Sequence, residues 1–278
     1  MKLTGNRMFN VLLLCVALGL IAIWSLCPYI WQLITSLKPS EELALLPPLL
    51  PTRIDLSHYP AVFHEMPFAR IMFNSLVVVS CTTAFCITIG SLTAYALAKL
   101  RFRGKIAVLG LVLAVSMFPP ISIVSPLYMI IRALGLRDTY AALIFPYSTF
   151  AMPLSIWIMT SFFREIPDDL IRAAKVDGCT PLQTLYKIIF PLAIPGVVTA
   201  AIMVFIYSWN EFLFALSFTT TYATRTIPVG IALFPGVHEV PWGDIAAASV
   251  IVTVPLIILV VVFQRCIVAG LTAGSVKE

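Results

Sequence analysis

Six long stretches of the sequence carry no charged side chain, and this feature constrains the fold more than any other. The stretches are Met8–Leu37, Ile71–Ala98, Ile106–Ile131, Thr139–Phe163, Ile188–Asn210 and Ile245–Gln264. Each has the ~20 residues that a helix needs to cross a ~30 Å hydrocarbon core. Inside lipid a helix satisfies its own backbone polar groups, and internal prolines are tolerated where neighbouring helices satisfy the freed carbonyls. The sequence therefore predicts an all-α, polytopic membrane protein with about six transmembrane helices.

Composition supports this class and excludes several functions. Of the 278 residues, 60% are hydrophobic and 11% are charged, with a mean hydropathy of +0.99. Soluble domains carry about a quarter charged residues. The net charge of +5 is spread between the apolar stretches, so no nucleic-acid partner is expected. The six cysteines include no CxxC pair and the three histidines lack metal-ligand spacing, so we expect neither a disulfide framework nor a metal site.

The distribution of basic residues predicts the orientation, because lysine and arginine accumulate in cytoplasmic loops. With the N-terminus inside, twelve basic residues fall in inner segments and six in outer segments. Both termini, including the tail from Gln264 to Glu278, are therefore expected in the cytoplasm. Residues 38–70 contain six prolines and are expected to form an external loop that is ordered but not helical. Residues 164–187 are expected to form a cytoplasmic loop.

The cytoplasmic loop carries strong local signals for two short helices. Pro167 suits a first helical position, and Asp168 and Asp169 complement the helix dipole in the first turn. Gly178 can adopt the left-handed conformation that ends a helix. Thr180–Gln183 then has the pattern of a capping box at a second helix start. The sequence predicts a helix of about 11 residues, a sharp glycine turn and a new helix that leads into the fifth span.

One face of the first short helix is unusual. It consists of Leu170, Ala173, Ala174 and Asp177, which recur at helical spacing. The small alanines, together with the glycine turn at Gly178, allow another protein to approach closely. Two interpretations follow from the pattern alone: the helix is a contact surface for a partner, or it is a capped turn that only connects two spans.

The stretch from Arg172 to Gly178, with Ile188 and Pro191 after it, resembles the EAA loop of ABC importer permeases. In that family the loop forms a coupling helix, which seats in a cleft of the ATP-hydrolysing subunit and transmits its closure. Further motifs resemble the carbohydrate-importer branch, which includes the second permease of maltose- and trehalose-type transporters. They are Asn74-Ser75-Leu76, Ala94-Tyr95-Ala96-Leu97-Ala98 before Arg101-Phe102-Arg103-Gly104, Trp209-Asn210-Glu211, and Gln264-Arg265 with Gly270–Gly274. Arg172 departs from the usual glutamate and Phe190 from the usual leucine, so no role is carried over to Arg172.

The resemblance implies a type I ABC permease fold over residues 1–278, in the plasma (inner) membrane of a prokaryote. It assigns ATPase coupling to Leu170, Ala173, Ala174, Asp177 and Gly178. The expected partners are a second homologous permease subunit, a cytoplasmic ATPase dimer, an external sugar-binding protein, a sugar substrate and membrane lipid. The sequence has no GxxxxGK[ST] phosphate loop. We therefore expect that the chain is not an enzyme and holds no cofactor. ATP and Mg²⁺ are expected on the partner ATPase.

The resemblance favours an α-linked glucoside such as trehalose, maltose or glucosylglycerol as the substrate. A glycerol-3-phosphate importer is the nearest alternative, because its permeases share these motifs. A secondary transporter would couple to an ion through buried acids or cations, for which Glu211 is the one candidate. An intramembrane enzyme would need buried ionisable groups, and the sequence has no HExxH or GxSxG motif.

The fifth span is too long for a single perpendicular crossing. Ile188–Thr224 contains one charge, Glu211, and would extend ~55 Å as a continuous helix. We expect it to begin in the cytoplasm, tilt or break, with Glu211 at membrane depth facing a polar cavity. A stripe that can stack on and hydrogen-bond a sugar is predicted to line the translocation path: Met203, Tyr207, Asn210, Glu211 and Phe214. The alternative places Trp209 in an interfacial aromatic belt and Glu211 in outer water.

Overall fold

The computed structural model describes residues 3–43, 48–235 and 240–272, and within these ranges it contains helices and no strand. The helices are α1 Leu3–Thr35, α2 Ser40–Leu43, α3 His58–Glu65, α4 Phe68–Lys99, α5 Lys105–Met117, α6 Ile121–Ala133, α7 Ala141–Glu165, α8 Asp168–Val176, α9 Pro181–Thr184, α10 Phe190–Leu192, α11 Ile194–Trp209, α12 Leu213–Phe218, α13 Ile227–Ala232 and α14 Trp242–Thr272. A π-helical turn, Leu185–Ile189, joins α9 to α10. The predicted all-α class is confirmed. Residues 273–278 of the C-terminal tail lie outside the described residues.

Four helices are each long and apolar enough to cross a membrane, namely α1 over Phe9–Thr35, α4, α7, and α14 over Trp242–Cys266. Two further spans are bent. Helices α5 and α6 meet at 97°, and the segment Pro181–Leu192 meets α11 at 85°. With each bent pair counted as one span, the described residues contain the six predicted spans.

Proline causes the bend in the third span. Helix α5 ends at Met117, and Phe118, which precedes Pro119 and Pro120, has extended backbone angles. Proline lacks an N–H donor and disfavours helical angles in the residue before it. The expectation that Ile106–Ile131 runs as one helix through these prolines is therefore wrong. The prolines within α6, α7 and α14, in contrast, lie inside continuous helices as expected.

The described residues fall into two compact units. The larger one is drawn from 68–233 and 254–278, and its core is formed by α4, α7 and α11. Gly90 of α4 faces α7 so closely that a Cβ atom there would lie 2.6 Å from Ser155 Oγ. The same hydroxyl donates a hydrogen bond of 3.1 Å to the Cys86 carbonyl. A residue without a side chain thus allows two long helices to touch, as is common inside membranes.

The smaller unit is drawn from 1–67 and 234–253, and most of the predicted external loop, residues 38–70, belongs to it. The expectation that this loop is non-helical is wrong, because α2 and α3 lie within it and α4 begins at Phe68. The prolines explain the error. Pro39 precedes α2 and Pro60 lies in the first turn of α3, where a helix does not need the missing N–H.

A buried histidine ties α3 to two other parts of the smaller unit. His58 Nδ1 lies 2.6 Å from the Asp244 carboxylate on α14, and Nε2 lies 2.9 Å from the Lys38 carbonyl oxygen. Both partners are acceptors, so both hydrogen bonds form when both ring nitrogens carry a proton. Lys38 is itself fully buried. Its Nζ donates to the Pro48 carbonyl at 2.6 Å and lies 4.5 Å from the Trp31 ring centroid, a cation–π contact.

Removal of either partner of the His58–Asp244 pair is expected to loosen α3. His58→Ala or Asp244→Ala leaves the other group buried without its partner, at a cost of about 2–4 kcal/mol. Hydrogen exchange of the α3 amides in nanodiscs measures this loss of protection. His64→Ala changes an exposed residue on the same helix and should leave the exchange rates as in the wild type. Unchanged α3 protection in both the His58 and Asp244 variants would contradict the prediction.

Candidate functional site

The predicted pair of short helices in residues 164–187 is present. Helix α8 has Asp168 and Asp169 in its first turn. Gly178 follows it with φ 79°, in the left-handed region. Thr180 and Gln183 form a complete capping box at the start of α9. These expectations are confirmed, and α8 has 9 residues, fewer than the expected number of about 11.

A lysine that is not among the predicted site residues fixes the position of α8. Lys99, the last residue of α4, has a side chain that is only 5% exposed. Its Nζ donates to the carbonyls of Arg164 and Ile166 at the end of α7, and to the Asp168 carboxylate at 2.7 Å. The hydrogen bond and charge of Lys99 hold the pKa of Asp168 below its usual value. One ammonium group therefore links α4, α7 and α8.

The proposed coupling face is divided between solvent and core. Leu170, Ala173, Asp177 and Gly178 are exposed. Ala174, in contrast, is only 2% exposed and packs toward the interior of its own chain, as does Ile171. The expectation that Ala174 shares an open face with the other residues is therefore corrected. Helical spacing gives the face of a residue, but the core that covers this face is formed by residues distant in the sequence.

Apolar side chains that sequence reasoning missed extend this surface. Val176 is 88% exposed, and Leu182 and Tyr186 also lie open to solvent. Large apolar residues on a loop between membrane spans are unusual, because water does not favour such exposure. Their position within or just after α8 is the sequence feature that could have identified them. The exposed surface of α8 and α9 has the composition of a protein contact site.

Arg172 is neutralised within its own helix. Its guanidinium donates to the Asp169 carboxylate three residues earlier, and both side chains are exposed. This hydrogen bond and charge raise the pKa of Arg172 above its usual value. The reversed charge relative to the usual glutamate is therefore offset by a neighbouring residue on α8.

The connection from α8 to the fifth span is bent and irregular. The chain winds as a π-helix over Leu185–Ile189 and turns by 85° near Ala193 before α11 begins. Gly196 then packs against Phe162 of α7, where a Cβ would lie 2.2 Å from the ring. Helix α11 starts at Ile194 and not at the predicted Ile188. The π-helical turn before it was not predicted from the sequence.

The predicted break in the fifth span lies at the residues that were proposed to line the path. Helix α11 ends at Trp209, and α12 begins at Leu213. The Asn210 side chain donates to the Ile206 carbonyl at 2.8 Å. The Glu211 carboxylate accepts hydrogen bonds from the backbone N–H groups of residues 214 and 215, at 2.8 and 3.2 Å. Both polar side chains thus satisfy helix ends that the break exposes.

The five residues of the predicted path differ in their access. Asn210 is exposed, whereas Met203, Tyr207 and Glu211 are half-buried. Phe214 is buried and stacks on Phe150 and Phe218, with centroid distances of 5.5 and 5.7 Å. The structure therefore does not leave Phe214 open to a cavity. Trp209 is buried as well and stacks on Phe205, so it does not belong to an exposed aromatic belt.

Two buried polar residues hold the turn that follows α12. The fully buried Asn74 donates to the carbonyls of Tyr222 and Arg225, at 3.0 and 2.9 Å. Ser75 Oγ accepts a hydrogen bond from the backbone of Ile227 at 2.8 Å. The motif Asn74-Ser75 therefore serves as a clamp for residues 219–226, which lie just beyond the predicted path.

Asp138 clamps the same turn from the opposite end. It accepts hydrogen bonds from the backbone of Thr220 and Thr221 and from the hydroxyls of Thr221 and Thr224. Partial burial raises the pKa of this carboxyl, but the four hydrogen bonds outweigh that effect and lower it to about 2. Asp138 has φ 60°, a left-handed conformation that aspartate and asparagine tolerate better than most residues.

Replacement of Asp138 by asparagine tests the charge without disturbing the backbone. Because the folded pKa of about 2 lies below the ordinary 3.8, the carboxylate stabilises the fold above pH ~4, and this contribution is lost as the pH falls toward 2. Since the side chain is only half-buried and solvent screens part of its interactions, we expect Asp138→Asn to cost about 1 kcal/mol at pH 7. Thermal unfolding at pH 7 and pH 3 measures it, and the difference should shrink at pH 3. An equal difference at both values would contradict a role for the charge.

Comparisons with known proteins agree with this architecture. Residues 86–272 match the family described as binding-protein-dependent transport system inner membrane component. The chain is 47% identical over 256 residues to a trehalose transport system permease protein of Mycobacterium tuberculosis, covering 91% of this chain and 93% of that one. It is 44% identical over 269 residues to a trehalose/maltose transport system permease protein of Thermococcus litoralis, covering 96% of each. A sulfoquinovosyl glycerol transport system permease protein of Agrobacterium fabrum is 44% identical over 266 residues, covering 94% and 92%.

A solved structure has the same fold. The crystal structure of a bacterial ABC transporter involved in the import of the acidic polysaccharide alginate contains a chain that superposes with a TM-score of 0.81. The match covers 95% of this chain and 98% of that one, at 24% sequence identity. At this identity the likeness establishes the fold alone.

Proposed function

The chain belongs to the family of binding-protein-dependent transport system inner membrane components, and from this premise we propose how it takes part in sugar import. It is a permease subunit of an ABC sugar importer, a transporter component and not an enzyme. ATP and Mg²⁺ are bound by a separate ATPase dimer, which supplies the energy of ATP hydrolysis. A second homologous permease subunit completes the path, and an external sugar-binding protein delivers the substrate.

The observation that carries this proposal is the surface of α8 and the start of α9. Val176 is 88% exposed, and Leu170 and Leu182 lie open beside it. Such apolar exposure on a loop between spans favours a protein partner. We infer that this surface, with Ala173, Asp177 and Gly178, seats in the ATPase, and that residues 164–187 are cytoplasmic.

The contacts of α8 suggest how movement reaches the membrane. Lys99 joins the start of α8 to the ends of α4 and α7, so a displacement of α8 pulls on both helices. At the other end, the Thr180–Gln183 capping box makes α9 begin immediately after the glycine turn. Helix α9 then leads to α11, whose outer end carries Asn210 and Glu211. Closure of the ATPases would therefore act at two points on the helices that line the predicted path.

We propose an α-glucoside such as trehalose, maltose or glucosylglycerol as the substrate. Two of the three relatives quoted above, at 47% and 44% identity, are named for trehalose and for trehalose and maltose, and the third, also at 44%, is named for sulfoquinovosyl glycerol. Asn210 and Tyr207 supply an amide, which can hydrogen-bond a neutral sugar, and an aromatic ring, which can stack on it. Ile188–Thr224 contains no basic residue, which disfavours the alternative of glycerol-3-phosphate, because a phosphate needs cationic partners.

Reconstitution of the complete transporter tests this function. The chain is co-expressed with its ATPase, partner permease and binding protein, and placed in proteoliposomes with ATP on the ATPase side. Uptake of radiolabelled trehalose or maltose should require both ATP and the binding protein. Uptake of glycerol-3-phosphate alone would select the alternative substrate. Sugar uptake driven by an ion gradient without ATP would identify a secondary transporter and overturn the proposal.

Gly178→Leu is expected to abolish sugar uptake and weaken ATPase association while membrane insertion persists. At φ 79° a leucine costs about 1–2 kcal/mol, so the turn after α8 must change. Gly135→Leu is a matched control, since Gly135 has φ 67° and, as at Gly178, no atom lies within 4 Å of an added Cβ. Co-purification of the ATPase and uptake are measured. Full uptake by Gly178→Leu, or equal losses in both variants, would contradict the coupling role.

Asn210→Ala and Glu211→Ala are each expected to lower uptake about tenfold or more, because each removes a hydrogen bond at the break between α11 and α12. Assembly with the ATPase should remain intact. Glu211→Gln keeps one acceptor oxygen for the α12 backbone and removes the charge, so it separates capping from a charge effect in the path. Ser217→Ala, which removes only a local hydrogen bond on α12, is the control. Wild-type uptake in both alanine variants would exclude these residues from the path.

A further inference from the structure

A large polar pocket lies beside α8, between this helix and the segment that follows α4. Its volume is about 830 Å³, and its lining includes Lys99, Arg101, Phe102, Asp168, Arg172 and Lys175. Four of these six residues are basic and one is acidic. We propose that this pocket binds the phosphate headgroup of an anionic phospholipid.

The positive charge of the pocket is not cancelled by its neighbours. Lys99 pairs with Asp168, and Arg172 pairs with Asp169 at the rim. Arg101 and Lys175 form no ion pair with any residue in the described part of the chain, and both are exposed. Two cationic side chains therefore line the pocket without an ion pair, although the charge of Arg101 also acts on Asp168, and the excess of positive charge favours an anion.

The position of the pocket favours a lipid over a soluble anion. The linker from Leu100 to Gly104 joins α4, a membrane span, to the apolar helix α5, so the pocket lies at the boundary of the hydrocarbon region. Phe102, next to Arg101, is 41% exposed and offers apolar contact beside the charges. Basic pockets at the ends of transmembrane helices suit anionic headgroups in the cytoplasmic leaflet. The assignment to this leaflet rests on the proposed function, which places α8 in the cytoplasm.

The pocket and the ATPase seat lie on different sides of α8. The pocket side consists of Asp168, Ile171, Arg172 and Lys175, and the seat on this helix consists of Leu170, Ala173, Val176 and Asp177. At about 100° per residue the centres of these two sets are nearly opposite on the helix. A bound lipid would thus leave the ATPase seat free. It would join α8 to the linker at Arg101, in addition to the Lys99 contact, and so favour coupling.

Lipid binding can be measured on the intact protein. The purified full chain and the assembled transporter are prepared in nanodiscs of phosphatidylcholine with or without phosphatidylglycerol, and retained lipid is counted by native mass spectrometry. Arg101→Gln/Lys175→Gln should bind phosphatidylglycerol roughly twenty-five-fold more weakly, at about fivefold for each basic side chain. Arg103→Gln/Lys105→Gln removes the same charge from the end of the linker and the first residue of α5, both outside the pocket, and it should bind as the wild type does.

Each outcome decides the proposal. Arg101→Lys/Lys175→Arg preserves the charges, so wild-type retention in this variant separates lipid binding from a folding defect. Equal loss in the control pair would indicate general surface attraction and overturn the pocket. If millimolar inorganic phosphate displaces the lipid, and if phosphate binds equally well to the protein in discs of phosphatidylcholine alone, the ligand is a soluble anion and the lipid assignment is overturned. Lipid retention does not depend on transport, so failure of sugar uptake would refute the proposed function and leave this inference standing.

Discussion

One ammonium group connects the membrane helices to α8, the helix that we propose as the ATPase contact. Lys99 is buried and donates to the last carbonyls of α7 and to Asp168 of α8. A buried charge is tolerated only with such partners, so the directional hydrogen bonds of this lysine set the position of α8. The packing of Ile171 and Ala174 then adds to this anchor. The ATPase seat and the lipid pocket lie on a helix whose orientation depends on this interaction.

Polar side chains at the break between α11 and α12, and at the turn that follows, act first on the backbone. Asn210 and Glu211 satisfy the ends of a broken helix, and Asn74 and Asp138 hold the turn that follows. Within a membrane no water replaces such bonds at depth. Groups that could bind a sugar are therefore already held in one orientation by the helix ends. This fixed orientation favours a path whose geometry is formed before the substrate arrives.

Local rules made two features predictable from the sequence: the number of spans, and the points at which the short helices in residues 164–187 begin and end. Gly178 and the Thr180–Gln183 capping box act within a few residues, and they are where the sequence places them. The errors concern contacts between distant residues. Lys99 meets Asp168 across 69 positions, and Phe214 is buried by aromatic rings that periodicity cannot locate. The effect of Pro119 and its neighbour on α5 depended likewise on whether surrounding helices could satisfy the backbone.

The bend before α11 has a mechanical consequence. The segment Pro181–Leu192 meets α11 at 85°. A force along the short helices therefore acts sideways on the N-terminal end of α11. The contact between Gly196 and Phe162 lies near that end, so part of the force reaches α7. A 16-residue helix is about 24 Å long, so a sideways shift of about 2 Å tilts it by about 5°. Small translations at the ATPase would thus become rotations at Asn210 and Glu211.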